Sequence, residues 1–176
     1  MLIILGGLPG TGKTTTAEIL TRLLRAVYLR IDTIEHTLTA GKHIEKSSIN
    51  DAGYAVAYAL AEENLRLGQH VIADCVNPLE ITRYSWRQTA ERAGVSFLDV
   101  EFICSDPVEH RYRVENRICN LSGFVLPSWR EVVERYYERR TDERLICDTA
   151  VMSAQEAADF ISRHVSDFPI HGAEYP

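Results

Sequence analysis

The sequence offers little to a metal cluster, a disulfide scaffold or a membrane span. Its four cysteines, Cys75, Cys104, Cys119 and Cys147, form no C-x-x-C pair, and three of them sit in or at the end of strand-like runs. That distribution predicts buried free thiols rather than metal ligands or bridges. The six histidines, His36, His43 and His70 among them, show no metal spacing such as H-x-x-x-H and are assigned no chemistry. No apolar run approaches bilayer length, and the N-terminus passes through a five-residue apolar run with no basic leader. Neither a membrane span nor a signal peptide is expected, and a cytoplasmic location is. With 25 acidic against 19 basic residues the net charge is -6, and no block of consecutive like charges stands out. Nucleic acid is therefore a poor partner for the chain as a whole, although a local basic lid remains compatible with small phosphates. Internal repeats and low-complexity segments are absent too.

What is present is concentrated near the start. Gly7-Leu8-Pro9-Gly10-Thr11-Gly12-Lys13-Thr14 follows the apolar run Leu2-Ile3-Ile4-Leu5 and precedes a helical pattern from Thr15 to Leu24. It satisfies G-x-x-x-x-G-K-[ST] in the strand-to-helix setting that the motif requires. Glycines let the backbone close into a cradle whose N–H groups and helix N-terminus point at phosphate oxygens. Gly7, Gly10, Thr11, Gly12, Lys13, Thr14 and Thr15 are thus the expected nucleotide-binding residues. Lys13 would reach the β- and γ-phosphates of ATP, and the Thr14 hydroxyl would ligand Mg²⁺. A glycine-rich turn that binds nothing would not need four constrained positions and both flanks to agree.

A chain of 176 residues is most simply one domain, burying about 70% of the surface that its unfolded form exposes. Strand-like runs are read at Met1 to Leu5, Ala26 to Ile31, His70 to Ala73, Val95 to Cys104 and Leu145 to Cys147. Helices are read at Gly12 to Arg25, Ala52 to Leu67 closed by Gly68, Leu79 to Ala93 ended by Gly94, and from Ser105-Asp106-Pro107 to about Cys119. A charged helix from Ser128 to Arg140 and a last helix from Ala154 to Val165 complete the pattern. Thr33 to Asp51 reads as a short helix and loop. The expected domain is 1–165, with 166–176 as a fraying tail. Strands alternating with helices predict an α/β three-layer sandwich with a parallel sheet, its functional groups where strands end, at Gly7, Asp32, Asp74 and Ser105.

Three further places could carry chemistry. Asp32 ends the second strand, on the side of the sheet that holds the phosphate loop, and can meet an acceptor hydroxyl; as a helix N-cap with Glu35 at N3 it fits equally. Asp74 follows three apolar residues, the minimal pattern of an acid that helps hold Mg²⁺, or else caps the turn at Asn77-Pro78. Asn77 and Arg83 are placed to orient acceptor or metal waters. Arg113 and Arg117, four residues apart, share a helix face leading into a Gly123 and Pro127 flap, a lid of about 111–130. They would neutralise a transferring phosphoryl group, or simply pair with Glu109 and Glu115. Arg135, Arg139 and Arg140 alternate with Glu131, Glu134 and Glu138 as a solvated face.

In the order phosphate loop, Asp32, Asp74-Cys75-Val76-Asn77-Pro78 and arginine-bearing flap, the chain resembles the P-loop kinases grouped with 5'-hydroxyl polynucleotide kinases and zeta toxins. These small kinases are often filed among AAA-type ATP-binding proteins, and the resemblance covers roughly Met1 to Thr149. It implies a five-stranded sheet of order 2-3-1-4-5, ATP with Mg²⁺ as donor, and phosphoryl transfer to a hydroxyl. It casts Asp32 as general base, Asp74 as a second acid, and Arg117, with Arg113, as lid charge. Gly-Arg pairs of an adenylate kinase lid are missing, and Arg30 stands where a shikimate kinase would show a second acid. With no basic groove in an acidic chain, a small hydroxyl-bearing acceptor is expected, walled by Arg30, Asp32, Glu35, His36, Tyr54 and Tyr58. An ATP-binding regulatory switch and a 5'-hydroxyl nucleic-acid kinase are the alternatives. The acceptor's identity and the oligomeric state stay open.

Overall fold

A computed structural model describes residues 1–40, 49–118, 123 and 125–166. Five strands form one parallel sheet: β1 (Leu2–Gly6), β2 (Val27–Arg30), β3 (Val71–Asp74), β4 (Phe97–Ile103) and β5 (Leu145–Asp148). Their order is β2-β3-β1-β4-β5. Helices α1 (Lys13–Leu24), α2 (Ile31–Ala40), α3 (Ile49–Arg66), α4 (Glu80–Arg92), α5 (Pro107–Asn116), α6 (Trp129–Val133) and α7 (Ala154–Ser166) connect and cover it. The fold is the expected α/β three-layer sandwich.

β1 lies at the centre and explains why its sequence is apolar without alternation. Leu2 and Ile4 pack with Ala57, Ala61 and Leu65 of α3 and Trp86 and Ala90 of α4. Ile3 and Leu5 face the other way, onto Ala17 and Leu20 of α1 and Ala157, Ala158 and Ile161 of α7. A strand covered on both faces must be apolar on both, and fully burying each such side chain contributes about 2 kcal/mol. On α3 the buried stripe is Gly53, Ala57, Ala61 and Leu65, one residue per turn, while Val56, Leu60 and Leu67 are exposed. That helix is therefore amphipathic, not largely buried, and its small residues let it approach the sheet closely. Leu23 of α1 is likewise exposed rather than in the core.

Helix ends follow local chemistry. Asp106 caps α5 by accepting from the N–H groups of Val108 and Glu109, with Pro107 in the first turn. α4 closes in a Schellman arrangement: Gly94, at φ +68, donates to Glu91 O and Val95 donates to Ala90 O, which satisfies carbonyls that the helix leaves open.

Three boundaries depart from the sequence-based expectation. α2 begins at Ile31, so Asp32 stands in its first turn and is not its N-cap. α5 ends at Asn116, with Arg117 leaving in an extended conformation. The charged helix expected from Ser128 to Arg140 stops at Val133, although it starts where expected, with a Ser128/Glu131 capping box. Beyond it the chain is captured by ions and backbone groups. Glu138 donates its N–H to Pro78 O at 2.9 Å, and its carboxylate meets the Glu80 N–H and the Arg83 guanidinium. Arg140, expected in a solvated face, is buried and pairs with Asp99 and Asp142. Tertiary ion pairing overrides the helical pattern there. Among the described cysteines all are free, with Cys75 and Cys147 buried and Cys104 half-buried; Cys119 and His43 lie outside the described residues, as does part of the expected lid.

Breaking a buried pair from one side strands the other charge. Asp99 and Arg140 side chains are 1% and 0% exposed, so Asp99→Ala should lose about 3 kcal/mol or more of stability, read as a lowered urea midpoint with an unchanged slope.

Candidate active site

β1 runs directly into the phosphate loop, and three glycines there adopt positive φ: Gly7 at +132, Gly10 at +86 and Gly12 at +84. A Cβ on Gly7 would lie 2.2 Å from Phe102 O, and one on Gly10 would lie 2.5 Å from Val114 Cγ2. Only hydrogen fits at either place. The loop is tied from inside and outside. Thr11 Oγ1 donates to Leu8 O at 2.8 Å, and Thr149 Oγ1, from the turn after β5, donates to Thr11 O at 3.1 Å. The His110 ring on α5 lies 2.9 Å from Pro9 O through Nε2; a carbonyl only accepts, so that nitrogen carries the proton. Trp129 stands edge-on to this ring at 5.1 Å.

Lys13 is folded back into the cradle. Its Nζ donates to Gly7 O at 2.7 Å and Leu8 O at 2.9 Å. Burial lowers its pKa, while the Asp74 and Asp32 carboxylates act in the opposite direction. An ammonium held by carbonyls in a buried loop is a cation waiting for anionic oxygens.

Asp74 closes β3, whose register sets it beside Leu5 of β1 and Arg30 of β2. Its Oδ2 accepts from Thr14 Oγ1 at 2.8 Å and from the Tyr28 hydroxyl at 2.7 Å. Burial and this carboxylate push the Tyr28 phenol well above its ordinary pKa, so it stays a donor. A hydroxyl beside a carboxylate is a hard oxygen set of the kind Mg²⁺ takes. Among the described residues no group of three or more His, Cys, Asp or Glu could hold a metal ion. A cation at Thr14 and Asp74 would therefore be completed by phosphate oxygens and water, as Mg²⁺ on a nucleotide is.

Two cavities meet here. The larger, of about 580 Å³, is lined by Gly10, Gly12, Lys13, Thr14, Thr15, Asp32, Asp74, Arg113 and Arg117 among others. Gly7 and Thr11 are not on its wall and act through the shape of the loop. The smaller, of about 380 Å³, lies over α3 and α4 with Glu35, Tyr54 and Tyr58 on its wall. Asp32, Val76 and Arg135 border both.

Arg113 and Arg117 both line the larger cavity. Arg113 donates to Thr149 Oγ1 at 2.9 Å and to Thr149 O at 3.0 Å, and to Glu109 at 2.7 Å, so it braces the turn after β5 as well as lining the cavity. Arg117, half-buried just past the end of α5, donates its backbone N–H to Arg113 O at 3.0 Å and lines the same cavity.

Some expectations fall away. Ser105 lines neither cavity; its N–H is held by Asp148. Asn77 and Arg83 are both buried, and Arg83 binds Asn77 O, Glu80 and Glu138 rather than facing a ligand. Sequence reasoning missed Tyr28, His110, Thr149 and the cavity position of Arg135. Tyr28 could have been suspected as the one phenol in an otherwise aliphatic strand end; the others depend on packing between distant elements and left no local signal.

A family model described as an AAA domain matches residues 2–120. A search of curated proteins finds no match. Among solved structures, the chain is similar to the Mycobacterium tuberculosis APS kinase CysC in complex with AMPPNP and APS, with 19% identity, TM-score 0.65, and coverage of 94% of this chain and 96% of that one. It is similar to a Sinorhizobium meliloti gluconokinase at 17% identity and TM-score 0.62, covering 94% and 93%. Kti12 of Chaetomium thermophilum, in complex with ADP-AlF3, aligns at 18% identity and TM-score 0.66 over 98% and 100%. Identities this low speak for the fold alone.

The contacts of the glycines predict an ordering. Gly7→Ala drives its Cβ onto backbone that cannot yield and should lower Tm by roughly 5 °C or more, the effect of about 2 kcal/mol in a chain this long. Gly10→Ala meets a side chain, so its Tm loss should be smaller in the same thermal melt.

Proposed function

The chain belongs to the AAA domain family, and on that footing we propose that it is an ATP-dependent kinase transferring the γ-phosphoryl group to a hydroxyl of a small molecule. The observation that carries this is the place of Asp32, on the border between a cavity holding Lys13, Thr14 and Asp74 and a second, smaller cavity of about 380 Å³. A nucleotide-binding switch has no need of a carboxylate between two chambers. An oligonucleotide acceptor would be expected to meet a basic surface, and among the described residues the wall of the smaller cavity offers Arg135 as its one cation. The fold neighbours that are kinases of APS and of gluconate lend support.

In this mechanism the loop backbone and Lys13 bind the triphosphate, the ammonium exchanging the Gly7 and Leu8 carbonyls for phosphate oxygens. Mg²⁺, where Thr14 and Asp74 would hold it, supplies charge neutralisation across the phosphates. Asp32 accepts the acceptor's hydroxyl proton as the new O–P bond forms and the bond from the γ-phosphorus to the bridging oxygen breaks, leaving ADP. Arg117 lies on the cavity wall where charge spreads onto the transferring group, and Arg113 assists while holding Thr149. Walls of Val76 and Pro127 limit water, which would otherwise compete with the acceptor.

The test is ATP consumption against pooled hydroxyl metabolites, with Lys13→Ala as the blank. Once an acceptor is in hand, Asp32→Asn should lower kcat by about a hundredfold or more, the usual range for a general base, with nucleotide affinity little changed. Arg117→Ala should cost on the order of a thousandfold in kcat. Near-wild-type turnover in both variants would overturn these roles.

A further inference from the structure

The wall of the smaller cavity has an unusual chemistry. Two phenols form part of it, and each hydroxyl is engaged by the protein: Tyr54 Oη accepts from the Asn77 N–H at 3.2 Å, and Tyr58 donates to Thr82 O at 3.2 Å. Their rings add aromatic surface to the wall. The rings stand 5.9 Å apart and tilted by 49°, and Tyr58 is fixed by an edge-to-face contact with Trp86 at 4.6 Å. The hydroxyls of Thr82 and Ser85 are likewise spent on helix carbonyls.

Two carboxylates face this aromatic surface. Asp32 and Glu35 are three residues apart on α2, hence on one face of the helix, and both line the cavity. Arg30 sits 3.7 Å from Asp32, but it borders only the phosphate cavity. Glu35 is half-buried, and among the described residues its carboxylate makes no hydrogen bond or ion pair. Its place is built: a Cβ on Gly53 of α3 would come within 2.5 Å of Glu35 Cγ and 3.2 Å of its Oε1. A mid-helix glycine costs about 1 kcal/mol against alanine, and here it makes the room in which that side chain lies. Burial first, then the neighbouring Asp32, pushes the Glu35 carboxyl up to about 7, with Arg135 acting weakly against them. The charged or titratable groups around it are Asp32 on α2, Tyr54 on α3 and Arg135 after α6.

We propose that the acceptor is an alcohol that also carries an ammonium group, held between the Tyr54 and Tyr58 rings and the Asp32 and Glu35 carboxylates. This rests on the kinase assignment above and names the class of its second substrate. Aromatic faces attract cations through their quadrupole, and a half-buried carboxylate that makes no hydrogen bond or ion pair among the described residues lacks the close positive charge that would stabilise it. One ammonium group satisfies both. An acceptor with a carboxylate would instead have to lie against two like charges, with Arg135 alone among the described wall residues to offset them. Arg135 is exposed and borders the phosphate cavity as well, which suits the phosphoryl group in transit.

The experiment screens an equimolar library of ammonium-bearing, uncharged and carboxylate-bearing alcohols, each small enough for the cavity. Binding is read by ligand-observed NMR on the protein loaded with Mg²⁺ and a non-hydrolysable ATP analogue. Binders should fall in the ammonium class. Their affinity should be full above about pH 7 and weaken as Glu35 takes up its proton below it. Glu35→Gln should weaken them by about tenfold, a loss of 1.4 kcal/mol, and flatten that pH dependence. Gly53→Ala, which displaces the Glu35 side chain, should also weaken them. Leading binders that are uncharged or carboxylate-bearing, an amine whose affinity ignores Glu35→Gln, or no binder at all beside normal analogue binding would each overturn the ammonium class while leaving the kinase assignment standing. Failure of the ATP analogue itself to bind would overturn the kinase assignment, and this inference with it.

Discussion

The hydrogen bond from Thr14 to Asp74 is the contact on which the site depends. It joins the first turn of α1 to the end of β3, elements sixty residues apart in sequence, and Tyr28 brings the neighbouring strand to the same carboxylate oxygen. Because β3 pairs in parallel with both β1 and β2, the C-terminal ends of all three strands lie at one edge of the sheet. The phosphate loop, Asp74 and Asp32 therefore meet at one cavity without any long loop having to be ordered. Parallel pairing is also what requires β1 to be apolar on both faces, so the core and the site are consequences of one topology.

A second layer of polar contacts holds the far side of the cavities. Arg87 and Arg140 both engage Asp99 and Asp142, and Glu138 ties the same segment to Arg83 and the start of α4. Ion pairs with this little solvent are costly to assemble and costlier to leave half made. Their effect is positional: residues 134–144 are held against the sheet edge, and Arg135 is presented at the border of both cavities. Function at that position thus depends on charges that touch neither ATP nor acceptor.

The asymmetry between donor and acceptor sides is chemical. Triphosphates are recognised by backbone N–H groups and one lysine, an arrangement that needs glycine at fixed places and so writes itself into a short motif. The smaller cavity, the proposed acceptor chamber, is lined by Asp32 and Glu35 from α2, Tyr54 and Tyr58 from α3, and Arg135 from beyond α6. Residues gathered in ones and twos from three separate segments carry no single spacing that a reader of the chain could test. Asp32, Glu35, Tyr54 and Tyr58 were expected as pocket wall, whereas Arg135 looked like one charge in an alternating series.

From the sequence alone came the alternation of strands and helices, the phosphate loop with Lys13 and Thr14, the stop at Gly94, the cap at Asp106, the helix start at Ser128, and the positions of Asp32 and Asp74 near strand ends. Each follows from local rules: periodicity of apolar residues, the special backbone of glycine, and the hydrogen bonds of short polar side chains. Only the tertiary structure decided that Tyr28 would join Thr14 on Asp74, that Thr149 and His110 would brace the loop, that the helix after Ser128 would end at Val133, and that Arg140 would be buried. Those outcomes turn on pairings between residues far apart in the chain, where burial multiplies the cost of an unpaired charge or donor and so outweighs what the local sequence prefers.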